Sequence, residues 1–253
     1  MKSITKIIIL FNFFLSLAIQ VYAQELTIAV AANVQFTMEE IQKEFTKKTG
    51  IPLNTVIGSS GKLTAQINNG APFDVFLSAD MKYPEFLFAN KKAVTEPEIY
   101  AQGSLVLWTR KDLELMDLVS VLKDERVQKI AIAKPKTAPY GRESLRVLHL
   151  HKIFDAIKDK LVYAGSIAQV NQYVDSKVVD IGFTAKSAVL SEKLLGKGTW
   201  LEIDPADYMP IDQGVVILKH GLQKYPEESR LFYDFLFSDR AKDIFKKNGY
   251  QLP

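Results

Sequence analysis

The chain has 253 residues, of which 47% are hydrophobic and 24% are charged, and it contains no cysteine. This composition is ordinary for a folded globular protein and excludes a disordered, collagen-like or disulfide-stapled chain. The lack of cysteine also excludes thiolate nucleophiles and zinc–thiolate sites. The formal net charge of +3 gives no electrostatic argument for binding to nucleic acid.

The first 23 residues have the pattern of a secretory signal peptide. Lys2 and Lys6 precede an apolar run over 7–19, and residues 21–23 (VYA) place small side chains where a signal peptidase cleaves. A single membrane anchor is the alternative, but the apolar run is short for a membrane span. We therefore expect cleavage near Ala23, which lowers the formal net charge from +3 to +1, and a periplasmic location.

The next part of the chain alternates short apolar strands with amphipathic helices, which favours an α/β fold with largely parallel sheets. In the helix predicted over 37–49, Met38, Ile41 and Phe45 form one apolar stripe, and Gly50 ends the helix. The other predicted elements of this part are strands over 26–32, 52–57, 74–77 and 102–109, and helices over 62–69 and 82–90.

A second series of the same kind follows. It comprises strands over 129–133, 161–164, 180–184 and 213–219, and helices over 141–151, 168–176, 185–194 and, as one or two helices, 227–248. Because no linker separates the two series, we predict two lobes with chain crossings at strands 104–110 and 213–219. Residues 24–103 with 208–253 would form lobe one, and 104–207 lobe two. A single large α/β domain is the alternative, since a sequence does not show which strands share a sheet.

Small polar residues follow four of the predicted strands, each time just before a helix. These are Asn33 with Thr37 four residues on, and then residues 58–61 (GSSG), 134–141 (KPKTAPYG) and 165–166 (GS). The first turn of a helix leaves N–H groups unpaired, and the helix dipole there favours an anion. The four turns together could surround an oxyanion with neutral donors, although the same residue types are also ordinary helix caps.

Four segments, in this order, resemble the periplasmic molybdate-binding proteins of ABC importers: LTIAVAANVQFTMEEI, GSSGKLTAQINNGAPFDVFLSAD, IAKPKTAPYGRESL and GSIAQVNQYVDSKVVDIGFTAKS. The resemblance implies a type II periplasmic binding protein. Each of its two lobes would be a mainly parallel sheet flanked by helices, with the ligand cleft between them. It also implies molybdate or tungstate as ligand, bound as the oxyanion with no metal cation and no cofactor. The implied partner is an inner-membrane ABC permease, and we expect a monomer without enzymatic activity.

The resemblance carries over four ligand-binding positions. Asn33 stands where the family has a serine, and its amide could still donate. Ser60 stands where a second serine contacts oxygen. Tyr140 occupies a position where some members offer an alanine N–H and others a tyrosine. Ile167 occupies a position that donates its backbone N–H.

Three further positions could support the ligand contacts. Ser59 lies beside the second serine position, and Thr37 follows the first turn. Ala185 stands where many relatives place a tyrosine hydroxyl, so this donor is missing here. We hypothesise that Tyr140 replaces it from another direction.

Two other readings of the function stay open. Sulfate is also a proton-free dianion and differs from molybdate only in size, whereas phosphate would need a carboxylate acceptor for its proton. The nearest carboxylate, Asp80, is interpreted as a helix cap or hinge contact, and Arg142 is the one arginine near the turns for an organic acid. An exported hydrolase with Ser59 or Ser60 as nucleophile is the third reading. It would need a histidine or lysine base within hydrogen-bond reach, and no paired His/Asp constellation is recognisable.

Overall fold

The computed structural model describes residues 25–253, so the predicted signal peptide lies outside the described residues. Within this range, no helix is both long enough and apolar enough to cross a membrane.

The described residues contain two five-stranded sheets. Their strands, in chain order, are β1 (Leu26–Ala31), β2 (Leu53–Gly58), β3 (Val75–Leu77), β4 (Glu98–Gly103), β5 (Leu105–Thr109), β6 (Ile130–Ala133), β7 (Leu161–Ala164), β8 (Ile181–Ala185), β9 (Thr199–Glu202) and β10 (Ile211–Ile217). The first sheet has the order β2-β1-β3-β10-β4 and the second β7-β6-β8-β5-β9. Each is mixed, because three neighbouring strands run parallel and the last two pair antiparallel.

Helices flank both sheets. Those that the structure describes are α1 (Gln35–Thr49), α2 (Ser60–Asn68), α3 (Lys82–Ala89), α4 (Leu118–Lys123), α5 (Pro139–Leu150), α6 (Phe154–Ile157), α7 (Ile167–Asp175), α8 (Lys186–Val189), α9 (Lys219–Lys224), α10 (Pro226–Leu236) and α11 (Asp239–Lys247). Short 3₁₀ segments cover Lys158–Lys160 and Pro205–Asp207. The two-lobed α/β fold expected from the sequence is confirmed.

The burial of α1 agrees with its sequence pattern. Met38, Ile41 and Phe45 are buried on one face of the helix, and Gly50 ends it with φ +75° while its N–H bonds to the Thr46 carbonyl. A left-handed φ of this kind is accessible to glycine at low cost. The helix therefore covers one face of the first sheet with an apolar stripe.

Strand β1 is buried on both of its faces. Ile28 and Val30 belong to the apolar cluster under α1, whereas Ala29, which points the other way, packs with Leu63 and Phe76. A strand covered by helices on both faces reads as a continuous apolar run rather than an alternating one. This is why the sequence LTIAVA identifies a central strand.

The prediction of one strand over 102–109 is wrong, because the structure has two strands there, in two different sheets. β4 pairs with β10 in the first sheet, whereas β5 pairs with β8 and β9 in the second, and Ser104 separates them. β5 is buried throughout whereas β4 is only partly buried, and the sequence pattern does not reveal the change of partner between them. The predicted crossing strands 104–110 and 213–219 each lie mainly in one sheet, and the chain crosses just before each of them.

Other boundaries also differ from the predictions. The helix predicted over 185–194 is confined to α8, and the segment 227–248 contains two helices, α10 and α11. β9 and α4 were not predicted. The assignment of residues 24–103 with 208–253 to one lobe and 104–207 to the other stays a prediction.

Candidate functional site

The turns singled out in the sequence meet at a small cavity between the two sheets. Its enclosed volume is only about 10 Å³, far below the roughly 300–1,000 Å³ typical of pockets for drug-sized ligands. None of the described residues that line it carries a charged side chain. They are Ala31, Ala32, Asn33, Ser59, Ser60, Ala79, Ala138, Pro139, Tyr140 and Ile167.

Two adjacent serines at the start of α2 supply free hydroxyl groups. The Ser60 Oγ accepts a hydrogen bond from the Ala79 N–H at 2.9 Å, which leaves the hydroxyl proton of Ser60 free to donate. The Ser59 Oγ is buried and has no hydrogen-bond partner among the described residues, and it does not cap α2. A buried hydroxyl without a partner costs free energy, so this part of the cavity is suited to a polar ligand.

The side chain of Asn33 is held from both sides. Its Nδ2 donates to Gln213 Oε1 at 2.7 Å and to Tyr250 Oη at 3.1 Å. The Tyr250 hydroxyl donates to the Asn33 carbonyl at 3.0 Å, and the Ser187 hydroxyl donates to the same carbonyl at 2.9 Å. Both amide protons of Asn33 are thus engaged, while its Oδ1 has no partner within the described chain.

Sequence reasoning missed the residues that hold Asn33. Gln213 and Tyr250 lie 180 and 217 residues away along the chain, and Ser187 lies 154 residues away. No local pattern marks them, because only the pairing of β10 with its neighbours and the return of the C-terminal segment bring them here.

Tyr140 lies in the first turn of α5 and is fully buried. Its backbone N–H, like those of other residues in a first helical turn, has no acceptor within the helix. Its hydroxyl has no hydrogen-bond partner in the described structure and lies against Gly103, where an added Cβ would be 2.0 Å from the hydroxyl oxygen. Burial raises the pKa of Tyr140 well above its usual range, so the hydroxyl is neutral and able to donate.

Ile167 opens α7, and its side chain is buried. The Ser166 Oγ caps the helix by accepting from the Gln169 N–H at 3.3 Å, which leaves the N–H of Ile167 without an acceptor in the helix. The backbone rather than the side chain of Ile167 is therefore the group that can bind a ligand.

Thr37 and Ala185 are not among the residues that line the cavity. The Thr37 Oγ1 is buried without a partner among the described residues, and Ala185, the last residue of β8, has no polar side-chain atom. Two residues further on, Ser187 contacts Asn33 and lies 3.1 Å from Tyr250 Oη. A hydroxyl network thus stands behind the first turn, close to the position where Ala185 lacks a donor.

The serines have no partner suited to activate them. Neither Ser59 nor Ser60 contacts a histidine or lysine in the described structure. The arrangement lacks the base that nucleophilic catalysis needs.

The histidines lie apart from the cavity. His149 packs against Phe154, and the Nε2 of His151 lies 2.6 Å from Asp207 Oδ2. The Nδ1 of His220 lies 2.7 Å from the Oδ1 of Asp74. The described residues contain no group of three or more His, Asp or Glu side chains that could hold a metal ion.

The sequence model of the family described as bacterial extracellular solute-binding proteins matches residues 26–251. The chain belongs to this family. It is 38% identical over 237 residues to the molybdate-binding protein ModA of Azotobacter vinelandii, covering 93% of each chain. It is 36% identical over 238 residues to the molybdate-binding protein ModA of Rhodobacter capsulatus, covering 93% of this chain and 92% of that one.

A solved structure of the periplasmic molybdate-binding protein of Azotobacter vinelandii matches this fold with a TM-score of 0.85 and 32% identity, covering 90% of this chain and 99% of that one. The resemblance stated from the sequence is thereby confirmed. As a solute-binding protein of a bacterial extracellular family, the chain acts outside the cytoplasm. These curated relatives are binding proteins rather than enzymes.

Proposed function

We propose that this solute-binding protein captures molybdate or tungstate and delivers it to an inner-membrane ABC permease. The observation that carries the proposal is the composition of the cavity, where free hydroxyl and N–H donors converge from both sheets without a charged lining residue. Such a site suits a fully deprotonated dianion, because every oxygen of the ligand can only accept hydrogen bonds. The names of the relatives from Azotobacter and Rhodobacter support the same ligand.

In this proposal, each site residue has a specific role. The hydroxyls of Ser60 and Ser59 donate to the anion from one lobe. The backbone N–H groups of Tyr140 and Ile167 donate from the other. Asn33 contributes its own backbone N–H, which makes no hydrogen bond to another described residue.

Closure of the two lobes on the anion would be driven by the donors that reach it only in the closed form. We further propose that the protein is a periplasmic monomer, released by cleavage near Ala23, without catalytic activity or a cofactor. The Ser59 hydroxyl, which has no partner among the described residues, and the Ser60 hydroxyl, whose proton is free to donate, favour binding over hydrolysis, since neither hydrogen-bonds to a base.

Calorimetric titration of the exported protein with molybdate, tungstate, sulfate and phosphate tests the proposal. We expect tight one-to-one binding of the first two anions and no heat of binding from the others. Tight binding of sulfate or phosphate would overturn the ligand assignment. A failure to bind any of the four anions would overturn the function itself.

A further inference from the structure

An ion pair joins the two lobes directly outside the wall of the cavity. Asp80 follows Ala79, and Arg142 lies two residues after Tyr140; Ala79 and Tyr140 both line the cavity. The Nη1 of Arg142 lies 3.0 Å from the Oδ2 of Asp80. The pair therefore brings a carboxylate and a guanidinium close to a site whose own lining is uncharged.

The Arg142 guanidinium supplies the positive charge next to the Asp80 carboxylate. The residue is only 6% exposed, and its Oδ1 has neutral contacts, the Ser78 hydroxyl at 3.3 Å and the Tyr83 N–H at 3.4 Å. Arg142 also donates from Nε to Glu143 Oε1 at 3.0 Å, within its own helix. Arg142 is thus the cation that meets the Asp80 carboxylate.

The contact exists because the lobes are together. The same side of the cleft is closed by two further hydrogen bonds, from the Gly61 N–H to the Thr137 carbonyl at 2.9 Å and from the Tyr83 hydroxyl to the Lys136 carbonyl at 3.2 Å. Asp80 belongs to the segment after β3 and Arg142 to α5, so separating the lobes separates the pair. The Asp80 carboxylate then lies beside the serine turn without the Arg142 guanidinium.

We propose that Asp80 and Arg142 couple anion binding to lobe closure by charge compensation, an inference that rests on the proposed function. In the open protein, the Asp80 carboxylate repels a dianion from the half-site that contains Ser60. In the closed protein, Arg142 neutralises this carboxylate, and the uncharged donors of the cavity hold the dianion. Arg142 thereby determines affinity without touching the ligand.

The test is calorimetric titration with molybdate of the parent protein, four variants of the ion pair and one control variant. Arg142→Gln leaves Asp80 uncompensated next to the dianion, and we expect its affinity to fall at least tenfold, which corresponds to about 1.4 kcal/mol. Asp80→Asn removes the repelling charge, and we expect it to bind at least as tightly as the parent. The double variant Asp80→Asn/Arg142→Gln should return to within threefold of the parent. Arg142→Lys, which keeps the cation, should also stay within threefold.

Arg146→Gln is the matched control, because Arg146 pairs with Glu143 at 3.3 Å on the same helix and, in the described part of the chain, forms no ion pair with Asp80. We expect less than a twofold change for it. If the ion pair only held the closed lobes together, Asp80→Asn would weaken molybdate binding as much as Arg142→Gln does, and the double variant would show no recovery. Either result would overturn charge compensation. An unchanged affinity of Arg142→Gln would overturn it as well.

The two proposals fail in different ways. If the parent binds sulfate or phosphate instead of molybdate, the ligand assignment fails, and the same variant series is titrated with the anion that binds. If the parent binds molybdate and the variants do not follow the expected order, only the charge-compensation proposal fails. A parent that binds none of the four anions overturns both.

Discussion

Replacement of Gly103 by alanine tests the contact between the interlobe crossing and Tyr140. An added Cβ at Gly103 would lie 2.0 Å from the Tyr140 hydroxyl oxygen and 3.1 Å from both the ring Cζ and Gln213 Nε2. The hydroxyl would have to move by more than 1 Å to restore an ordinary contact. Overpacking of this kind costs about 1–3 kcal/mol, and the buried ring has little free space to move into.

The assay is thermal unfolding of the protein saturated with molybdate, in which the lobes are held together. A loss of about 1–3 kcal/mol lowers the unfolding temperature of a chain of this size by roughly 2–12 °C. The Tyr140→Phe background provides the control, because it removes the atom at 2.0 Å and leaves the nearest contacts at 3.1 Å. In that background, we expect Gly103→Ala to cost less than about 1 kcal/mol. If Gly103→Ala lowered the free energy of unfolding equally in both backgrounds, or in neither, the reasoning would be refuted.

Three further results are expected. Ser60→Ala should weaken molybdate binding about 10- to 100-fold in calorimetry, because it removes a donor and leaves the Ala79 N–H unpaired; an unchanged affinity would remove Ser60 from the site. Tyr140→Phe should lower the affinity about tenfold if its hydroxyl replaces the donor missing at Ala185, and an unchanged affinity would contradict that hypothesis. Burial raises the pKa of Tyr250 to about 12, so its contribution to stability is present below pH 10 and lost between pH 10 and 12. Thermal unfolding of Tyr250→Phe should therefore depend less on pH across that interval than unfolding of the parent does, and equal slopes would speak against the assignment.

The site turns were visible in the sequence because their signals are local. A strand that ends in small polar residues before a helix predicts unpaired N–H groups at a defined place, and the turns at Asn33, Ser60, Tyr140 and Ile167 do meet at one cavity. That these four residues bind the ligand stays a prediction. The apolar stripe of α1 and its glycine stop were equally local, since a helical period can be read within a dozen residues.

The sequence by itself determined the α/β elements, the amphipathic faces and the turns before the helices, because each depends on neighbours within a few residues. Only the tertiary structure decided that the strand at 102–109 divides between two sheets, that Tyr250 and Gln213 hold Asn33, and that Arg142 forms an ion pair with Asp80 across the cleft. Periodicity encodes whether a residue is buried and not which distant segment buries it. The partners of these groups lie 62 to 217 residues away, so their contacts follow from how the two sheets pack together.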